Sequence, residues 1–264
     1  MPTIIALIHT RFRKGAESTA AWLAGNSYES LFLALPTDLE KFLKTYMDGE
    51  LSGEDLWRSY SYLTGVQMPF INALRYTIDP IITVLPKLRH KMPEPELYCY
   101  QDTESCIEAT KLTERVVLLE SKGRMGGRID VGAWRALLRD ELDFEVFESR
   151  RSFENIAENA VSHSRNVVLS QRMGRSFRSY MEARRFDVEV IYLKHYWRSP
   201  LESLRAMVRI QGVDNVSDDV IVRYIQGQLK YLEYILYSKD LDAAHEKWTM
   251  ETHPNLQKLT HDRT

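Results

Sequence analysis

The stretch NVVLSQRMGRSFRSYMEARR, residues 166–185, passes from a short apolar run directly into a segment with helical spacing. Asn166–Ser170 has the length and apolar character of a buried strand. Phe177, Tyr180 and Met181 then recur at the spacing of one helix face. A strand followed at once by a helix is the unit from which parallel sheets are built. The stretch therefore predicts one strand–helix unit of an α/β fold.

The same alternation recurs along the rest of the chain. Short β-branched or apolar runs are each followed by residues with helical spacing, as in parallel sheets covered by helices. The runs predicted as strands are Thr3–His9, Ser30–Leu35, Glu96–Tyr100, Arg115–Glu120, Asn166–Ser170 and Asp187–Leu193. We therefore expect an α/β fold in which a mostly parallel sheet is flanked by helices on both faces, as a single domain over residues 1–264.

Helices are predicted between these strands, with one segment that differs from the others. The predicted helices are Lys14–Ala24, Thr37–Met47, Ser52–Leu63, Asp130–Leu142 and Ser149–Val161. Between Pro69 and Pro95 lie five of the nine prolines, and proline interrupts helices. We expect residues 66–95 to form broken helical pieces that act as an insertion or cap.

The C-terminal region, residues 217–248, is expected to be helical and to pack on the core or on a partner. Ser217–Tyr237 has an apolar stripe at helical spacing with tyrosines beside it. The stripe contains Ile221, Ile225, Leu229, Leu232 and Leu236, and the tyrosines are Tyr224, Tyr231, Tyr234 and Tyr237. The pattern indicates a helix packed on the protein itself, and the tyrosines leave a homodimer contact open.

Composition narrows the classes of function. Lys and Arg total 35 against 37 Asp and Glu, so the formal charge of -2 gives no global attraction to nucleic acid or to an acidic membrane. Any polyanion site must be local. Cys99 and Cys106 lack the spacing of a zinc or thioredoxin motif. No segment approaches the roughly 18 apolar residues of a membrane span, so we expect a cytoplasmic protein without a membrane partner.

Candidate site residues follow the predicted strands, because the carboxyl ends of parallel strands meet at one edge of the sheet. These residues are His9 with Thr10 and Arg11, Pro36 with Thr37 and Asp38, Gln101 with Asp102, Glu120 with Lys122, Gln171 with Arg172 and Arg175, and Lys194 with His195. His9 has the chemistry of a metal ligand or a general base, although a single histidine at a strand end is more often structural. The set is polar and of mixed charge.

Two segments raise the question of an anion site. Residues 121–130, SKGRMGGRID, combine three glycines with basic residues, but they match no phosphate-loop pattern, so a flexible βα loop with Asp130 as N-cap is favoured. In residues 166–185, Arg178 and Arg185 share a helix face with Glu182, which indicates a solvated face. Only Arg172 and Arg175 fall at the strand-to-helix turn, where an anion would meet guanidinium groups and a helix N-terminus.

Four segments together resemble a known superfamily. They are IIALIHT (4–10), LFLALPTDLEKF (31–42), ESRRSFENIAENA (148–160) and NVVLSQRMG (166–174). Their order is similar to that of the TraB/ChaN/EreA-like superfamily, which includes pheromone-shutdown proteins, haem-binding lipoproteins and erythromycin esterases. The family pairs a first strand ending in Gly-x-x-His with a second ending in Glu-Leu, then a Glu-Arg pair opening a helix and a strand ending in Gly-x-Gly-His.

The resemblance spans residues 3–210. It implies that His9 stands at the position of the family's first-strand histidine, and that Glu148 with Arg150 or Arg151 forms the Glu-Arg pair. Two anchors differ. Ala34 replaces the glutamate of the second strand, and the last strand has Arg172 or Met173 near the histidine place. The resemblance therefore implies the fold more strongly than a hydrolase or protease activity that needs two histidines and a glutamate.

Three functions follow as hypotheses. The first is a divergent, non-catalytic protein that binds an anionic small molecule through residues drawn from His9, Arg11, Asp38, Glu148, Arg150, Arg151, Arg172 and Arg175. The second is a metal-assisted hydrolase with His9, Asp38, Asp102 and Glu120 as ligands or acid/base groups. The third is an interaction subunit. Carboxylates that dilute the basic residues between Arg150 and Arg198 argue against nucleic acid. The sequence identifies no cofactor.

Overall fold

The computed structural model describes residues 1–171, 174–194 and 196–253. The elements follow in the order β1 (Thr3–Ile8), α1 (Arg13–Gly25), β2 (Ser30–Pro36), a 3-10 turn (Thr37–Leu39), α2 (Glu40–Met47), α3 (Gly53–Thr64), α4 (Met68–Leu88), β3 (Glu96–Gln101), α5 (Thr103–Gly126), α6 (Val131–Ala160), β4 (Arg165–Ser170), α7 (Arg175–Glu182), β5 (Asp187–Tyr192), α8 (Pro200–Gln211), a second 3-10 turn (Val213–Asn215), α9 (Asp218–Tyr237) and α10 (Leu241–Thr252).

The five strands form one sheet in the order β3-β2-β4-β1-β5, and every pairing is parallel. Helices cover both faces, so the predicted α/β fold is confirmed. On one face, α1 and α4 pack over alternate residues of the strands such as Ile5 and Leu7. On the other face, α7 and the second half of α6 pack over Ile4 and Ala6.

The chain divides into two compact units. The first contains residues 1–111 and 145–195, and holds the sheet. The second contains residues 112–144 and 196–264, and its described residues are helical around a core that includes Trp134, Leu204 and Ile225. The sequence suggested a single domain over the whole chain, which stays a prediction. Among the described residues, no helix combines the length and apolar character that a bilayer span requires.

Five of the six predicted strands are confirmed within one or two residues, and the sixth is wrong. Arg115–Glu120 lies inside α5. Its four consecutive apolar residues suit a buried strand as well as a helix, and short apolar runs do not distinguish the two. In the structure this apolar run is part of a helix of 24 residues. The predicted helices Asp130–Leu142 and Ser149–Val161 are likewise parts of one continuous helix, α6.

The proline-rich segment also differs from the prediction of broken pieces. Met68–Leu88 is a single helix of 21 residues with Pro80 and Pro86 inside it. Pro69 stands in the first turn, where the missing N–H is not needed. An interior proline costs about 3 kcal/mol. The helix buries seven apolar side chains in the core of the first unit, and this burial outweighs that cost: Ile71, Ile78, Ile81, Ile82, Val84, Leu85 and Leu88.

Side chains from neighbouring helices protect the backbone of the two edge strands. On β3, the Cys99 N–H donates to Glu40 Oε2 at 3.0 Å. On β5, Arg178 donates through a terminal guanidinium nitrogen to the Val188 carbonyl oxygen at 2.8 Å. Arg178 also pairs with Glu182 as its helical spacing predicted. Arg178 is therefore not only a solvated residue. It binds a backbone carbonyl group that an exposed edge strand would otherwise offer to another strand.

A buried polar contact joins three strands at their amino ends. Ser30 Oγ donates to Asn166 Oδ1 at 2.6 Å, and both residues are fully buried. Asn166 Nδ2 lies 3.1 Å from the carbonyl oxygens of Thr3 and His163. One amide therefore connects β1, β2 and β4.

We predict that Asn166→Ala lowers the free energy of unfolding by about 2–3 kcal/mol, because buried polar groups lose their partners. Chemical denaturation measures the loss. In a double-mutant cycle, Ser30→Ala combined with Asn166→Ala should cost clearly less than the sum of the single changes. Additive costs, or a loss from Asn166→Ala below about 1 kcal/mol, would contradict the structural role.

Candidate functional site

The connections that leave the neighbouring strands β1 and β4 diverge. After β1 the chain enters α1, which packs on one face of the sheet through Ala16 and Leu23. After β4 it enters α7, which packs on the opposite face through Phe177 and Met181. Such a divergence opens a crevice outside the carboxyl ends of the two strands, which is where open α/β sheets bind ligands.

His9, Thr10 and Arg11 lie at this crevice directly after β1. The His9 backbone N–H donates to the Ser170 carbonyl at 3.0 Å, which continues the pairing with β4. The His9 ring is buried, and Nδ1 lies 3.2 Å from the Thr10 carbonyl oxygen. Burial lowers the pKa of His9, and the contact with Thr10 offsets only part of that effect. His9 is therefore neutral at pH 7.

Arg11 and Gln171 bring the two strand ends together. Arg11 Nε donates to Gln171 Oε1 at 3.2 Å across 160 positions of sequence. Both side chains are partly buried. The acceptor in this contact is an amide oxygen, and the contact orients the guanidinium group.

The first turn of α1 packs tightly against Thr10. An ideal Cβ on Gly15 would lie 2.0 Å from Thr10 Oγ1, well inside the contact distance of two atoms. Glycine is therefore required for α1 to begin this close to the end of β1. This packing fixes the backbone between His9 and Arg11.

A second polar group lies at the end of β3. Glu148 accepts from Ser152 Oγ at 2.7 Å and from Gln101 Nε2 at 3.3 Å. Tyr100 is buried beside them, and its hydroxyl donates to the Leu169 carbonyl of β4 at 2.9 Å. Burial, with the charge of Glu148 as a smaller cause, raises the pKa of Tyr100. Tyr100 thus connects the polar group to β4.

Two candidate carboxylates at this edge of the sheet, Asp102 and Asp38, accept hydrogen bonds from the start of α5. Asp102 accepts from the Ser105 N–H at 2.7 Å and from Ser105 Oγ at 2.8 Å, and it pairs with Arg151 at 3.2 Å. Asp38 accepts from Thr103 Oγ1 at 2.6 Å. Through residues 1–171, 174–194 and 196–253, no three His, Cys, Asp or Glu side chains are grouped as metal ligands.

The predicted arginines have different surroundings. Arg151 lies at the end of β3 with Asp102, whereas Arg150 points outward, with 80% of its side chain exposed and a pair to Glu154. Arg175 is the exposed first residue of α7. Arg172, the other half of the expected anion clamp, lies outside the described residues, as does His195.

Glu120 belongs to the second unit, because the strand it was expected to end is part of α5. It accepts from Gln228 Nε2 of α9 at 2.9 Å, and Gln228 Oε1 accepts from the Leu201 N–H at 3.2 Å. Burial raises the pKa of Glu120, and the bond from Gln228 and the charge of Arg205 offset only part of the rise. Glu120 is therefore a buried carboxyl whose hydrogen bond lies within the second unit.

Two further segments differ from their predicted surroundings. Residues 121–126 form the last turns of α5, so the glycine-rich segment joins two helices and is not a βα loop. Asp130 does cap α6 as predicted, accepting from the Ala133 N–H at 2.9 Å. In α9, Tyr231 is buried and Tyr237 exposed, and the helix packs on α8 and α10. A homodimer through α9 stays a prediction.

Gln171 and Gln101, both among the candidates at the strand ends, form side-chain hydrogen bonds there. An uncharged amide carries no pattern that indicates a ligand, and the one signal for both is their place at the carboxyl end of a strand. No protein-family model matches this chain, and no curated protein or solved structure matches it either. The resemblance to the TraB/ChaN/EreA-like superfamily stays a prediction.

We predict that Gly15→Ala destabilises the first unit by about 1–3 kcal/mol, because the new methyl group overlaps the Thr10 hydroxyl. Gly25→Ala, at the other end of the same helix, is the matched control, since a Cβ there meets nothing within 4 Å. The control should be neutral or should stabilise by up to about 1 kcal/mol. Denaturant midpoints compare the two variants, and equal midpoints would contradict the packing.

The raised pKa of Glu120 predicts a pH-dependent stability. The folded state holds this proton at pH values where the unfolded carboxyl has lost it, so stability falls as pH rises from the ordinary pKa of 4.5 through the folded pKa. Glu120→Gln removes this loss. Between pH 4 and pH 7.5, the free energy of unfolding of the variant should increase by on the order of 1 kcal/mol relative to that of the wild type.

Urea denaturation at the two pH values measures the gain of Glu120→Gln. Glu233→Gln, an exposed carboxylate on α9, is the control and should show no such gain. The burial argument fails if Glu120→Gln and Glu233→Gln respond to pH in the same way.

Proposed function

We propose that the first unit binds a small anionic molecule at the carboxyl ends of β1 and β4. The observation that carries the proposal is the Arg11–Gln171 contact of 3.2 Å, at two neighbouring strands whose connections leave to opposite faces of the sheet. A guanidinium fork and an amide together present N–H groups in the geometry that a carboxylate or phosphate accepts.

Arg11 brings a positively charged group to the ends of β1 and β4, and this group supports an anionic ligand. Asp102 is balanced by Arg151, and Glu148 and Asp38 accept from amide and hydroxyl donors. Charged hydrogen bonds in such partly buried places contribute about 1.5–3 kcal/mol each, so one well-placed guanidinium is enough to select the sign of a ligand.

His9 adds a pH dependence to the proposal. Its ring is neutral at pH 7 because burial lowers its pKa. A bound anion beside the ring favours the protonated form and so raises that pKa. Anion affinity should therefore increase as the pH falls toward the pKa that His9 has in the complex.

The test measures thermal unfolding with inorganic phosphate and, separately, with acetate as probes. A ligand at about 100 times its Kd stabilises the folded state by about 2.7 kcal/mol. Arg11→Gln should weaken binding of the effective probe by about 10-fold or more, because it removes a charged hydrogen bond. Arg13→Gln is the matched control, since Arg13 lies two residues later and forms a surface pair with Glu17 at 3.3 Å.

The two variants separate a specific site from general charge. Loss of affinity in Arg11→Gln with no loss in Arg13→Gln supports the site. Equal losses would indicate a nonspecific charge effect. The proposal is wrong if neither phosphate nor acetate raises the unfolding temperature of the wild type.

A further inference from the structure

The apolar run of α5 is only half buried. Val116 is buried and Leu119 is partly buried in the core of the second unit. Val117 and Leu118 point outward with 47% and 53% of their surface exposed. Four consecutive apolar residues on a helix cannot share one face, because successive residues are about 100° apart. A contiguous exposed apolar patch bordered by polar residues often marks an interaction site.

Exposed cations continue the same face of α5. Leu118, Lys122 and Met125 stand at i, i+4 and i+7, and Met125 is 83% exposed. Arg124 stands seven residues after Val117, and Arg128 follows the end of the helix. We call these six residues, Val117, Leu118, Lys122, Arg124, Met125 and Arg128, the basic stripe.

The three cations of the basic stripe are unpaired. Lys122, Arg124 and Arg128 are exposed, and none forms an ion pair or side-chain hydrogen bond with any described residue. No acidic residue occurs between positions 121 and 129. By contrast, Arg115 at the start of the same run pairs with Asp140 at 2.7 Å. The basic stripe therefore has a local positive charge in a chain of net charge -2.

The basic stripe lies on a helix that packs against α9. An ideal Cβ on Gly123 would lie 3.1 Å from Leu229 Cδ1, so α5 approaches α9 closely on the side opposite the stripe. Gly127, with φ of +63°, ends the helix in a left-handed conformation. The apolar and basic side chains therefore keep the spacing of a helix surface.

We propose that the basic stripe contacts an anionic lipid surface, in contrast to the expectation from the sequence of no membrane partner. A helix face with apolar side chains between cations is the pattern of an interfacial helix, whose apolar residues enter the headgroup boundary while its cations meet lipid phosphates and carboxylates. Three cations give reversible peripheral binding, because each strengthens attraction to an anionic leaflet by roughly fivefold.

Two other partners fit the basic stripe less well. A nucleic acid would use the cations through its phosphates but would leave Val117, Leu118 and Met125 exposed to water. A coiled coil with another helix needs an apolar seam of about three or four heptads, whereas this stripe spans about two turns. A fluid lipid surface needs neither base contacts nor a long complementary seam.

The test is sedimentation of the full chain with vesicles of phosphatidylcholine mixed with phosphatidylserine, and with phosphatidylcholine alone. We expect binding to the mixed vesicles that decreases with added salt. Lys122→Glu/Arg124→Glu/Arg128→Glu should weaken this binding by about 100-fold or more. Leu118→Ser/Met125→Ser should also weaken it, because the apolar side chains no longer enter the interface.

The matched control reverses three exposed cations elsewhere, in Lys87→Glu/Arg223→Glu/Lys230→Glu. It makes the same change of net charge and should keep most of the binding. Circular dichroism confirms that each variant is folded. Equal losses in both triple variants would show an effect of net charge and overturn the proposal, as would a wild type that does not sediment with the mixed vesicles.

A gel-shift titration with duplex DNA tests the alternative. Binding that is lost in the basic triple variant and unchanged in Leu118→Ser/Met125→Ser, without vesicle binding, would assign the basic stripe to nucleic acid and overturn the lipid proposal. None of these measurements depends on Arg11, so the two proposals succeed or fail separately.

Discussion

Every connection in this sheet has to return the chain to the same end, because all five strands run parallel. A parallel connection needs a crossover, which is almost always helical. The crossovers leave β1 and β4 toward opposite faces, since one strand is followed by a move across the sheet toward β2 and the other by a move toward β5. The same constraint places all the strand ends at one edge and opens a crevice between two of them.

Much of this arrangement could be predicted because it depends on local patterns. The strands at Thr3, Ser30, Glu96 and Asn166 are short apolar runs bounded by polar residues, and burial on both faces requires such runs. The error at Arg115–Glu120 has the same origin. Val116, Val117, Leu118 and Leu119 have the composition of a buried strand, and the structure puts two of them on the solvent side of a helix.

The candidate site was predictable only as a set of positions. A parallel sheet puts the residues after each strand at one edge, so His9, Arg11 and Asp38 could be named as neighbours of a crevice. Which of them meet depends on contacts across 160 positions of sequence, such as Arg11 with Gln171, and on hydrogen bonds that no spacing rule describes. Asp38 and Asp102, for example, turn toward the first turn of α5.

Hydrogen bonds at the carboxyl edge of the sheet connect the candidate carboxylates to α5 and to neighbouring side chains. Helix α5 has unsatisfied N–H groups in its first turn, as every helix does, and Asp102 satisfies one of them. Arg151 balances the remaining charge of that carboxylate, and Ser152 and Gln101 donate to Glu148. The acids are thus used by the fold itself. Arg11 donates to the side-chain amide of Gln171, and this bond directs the guanidinium group toward the end of β4.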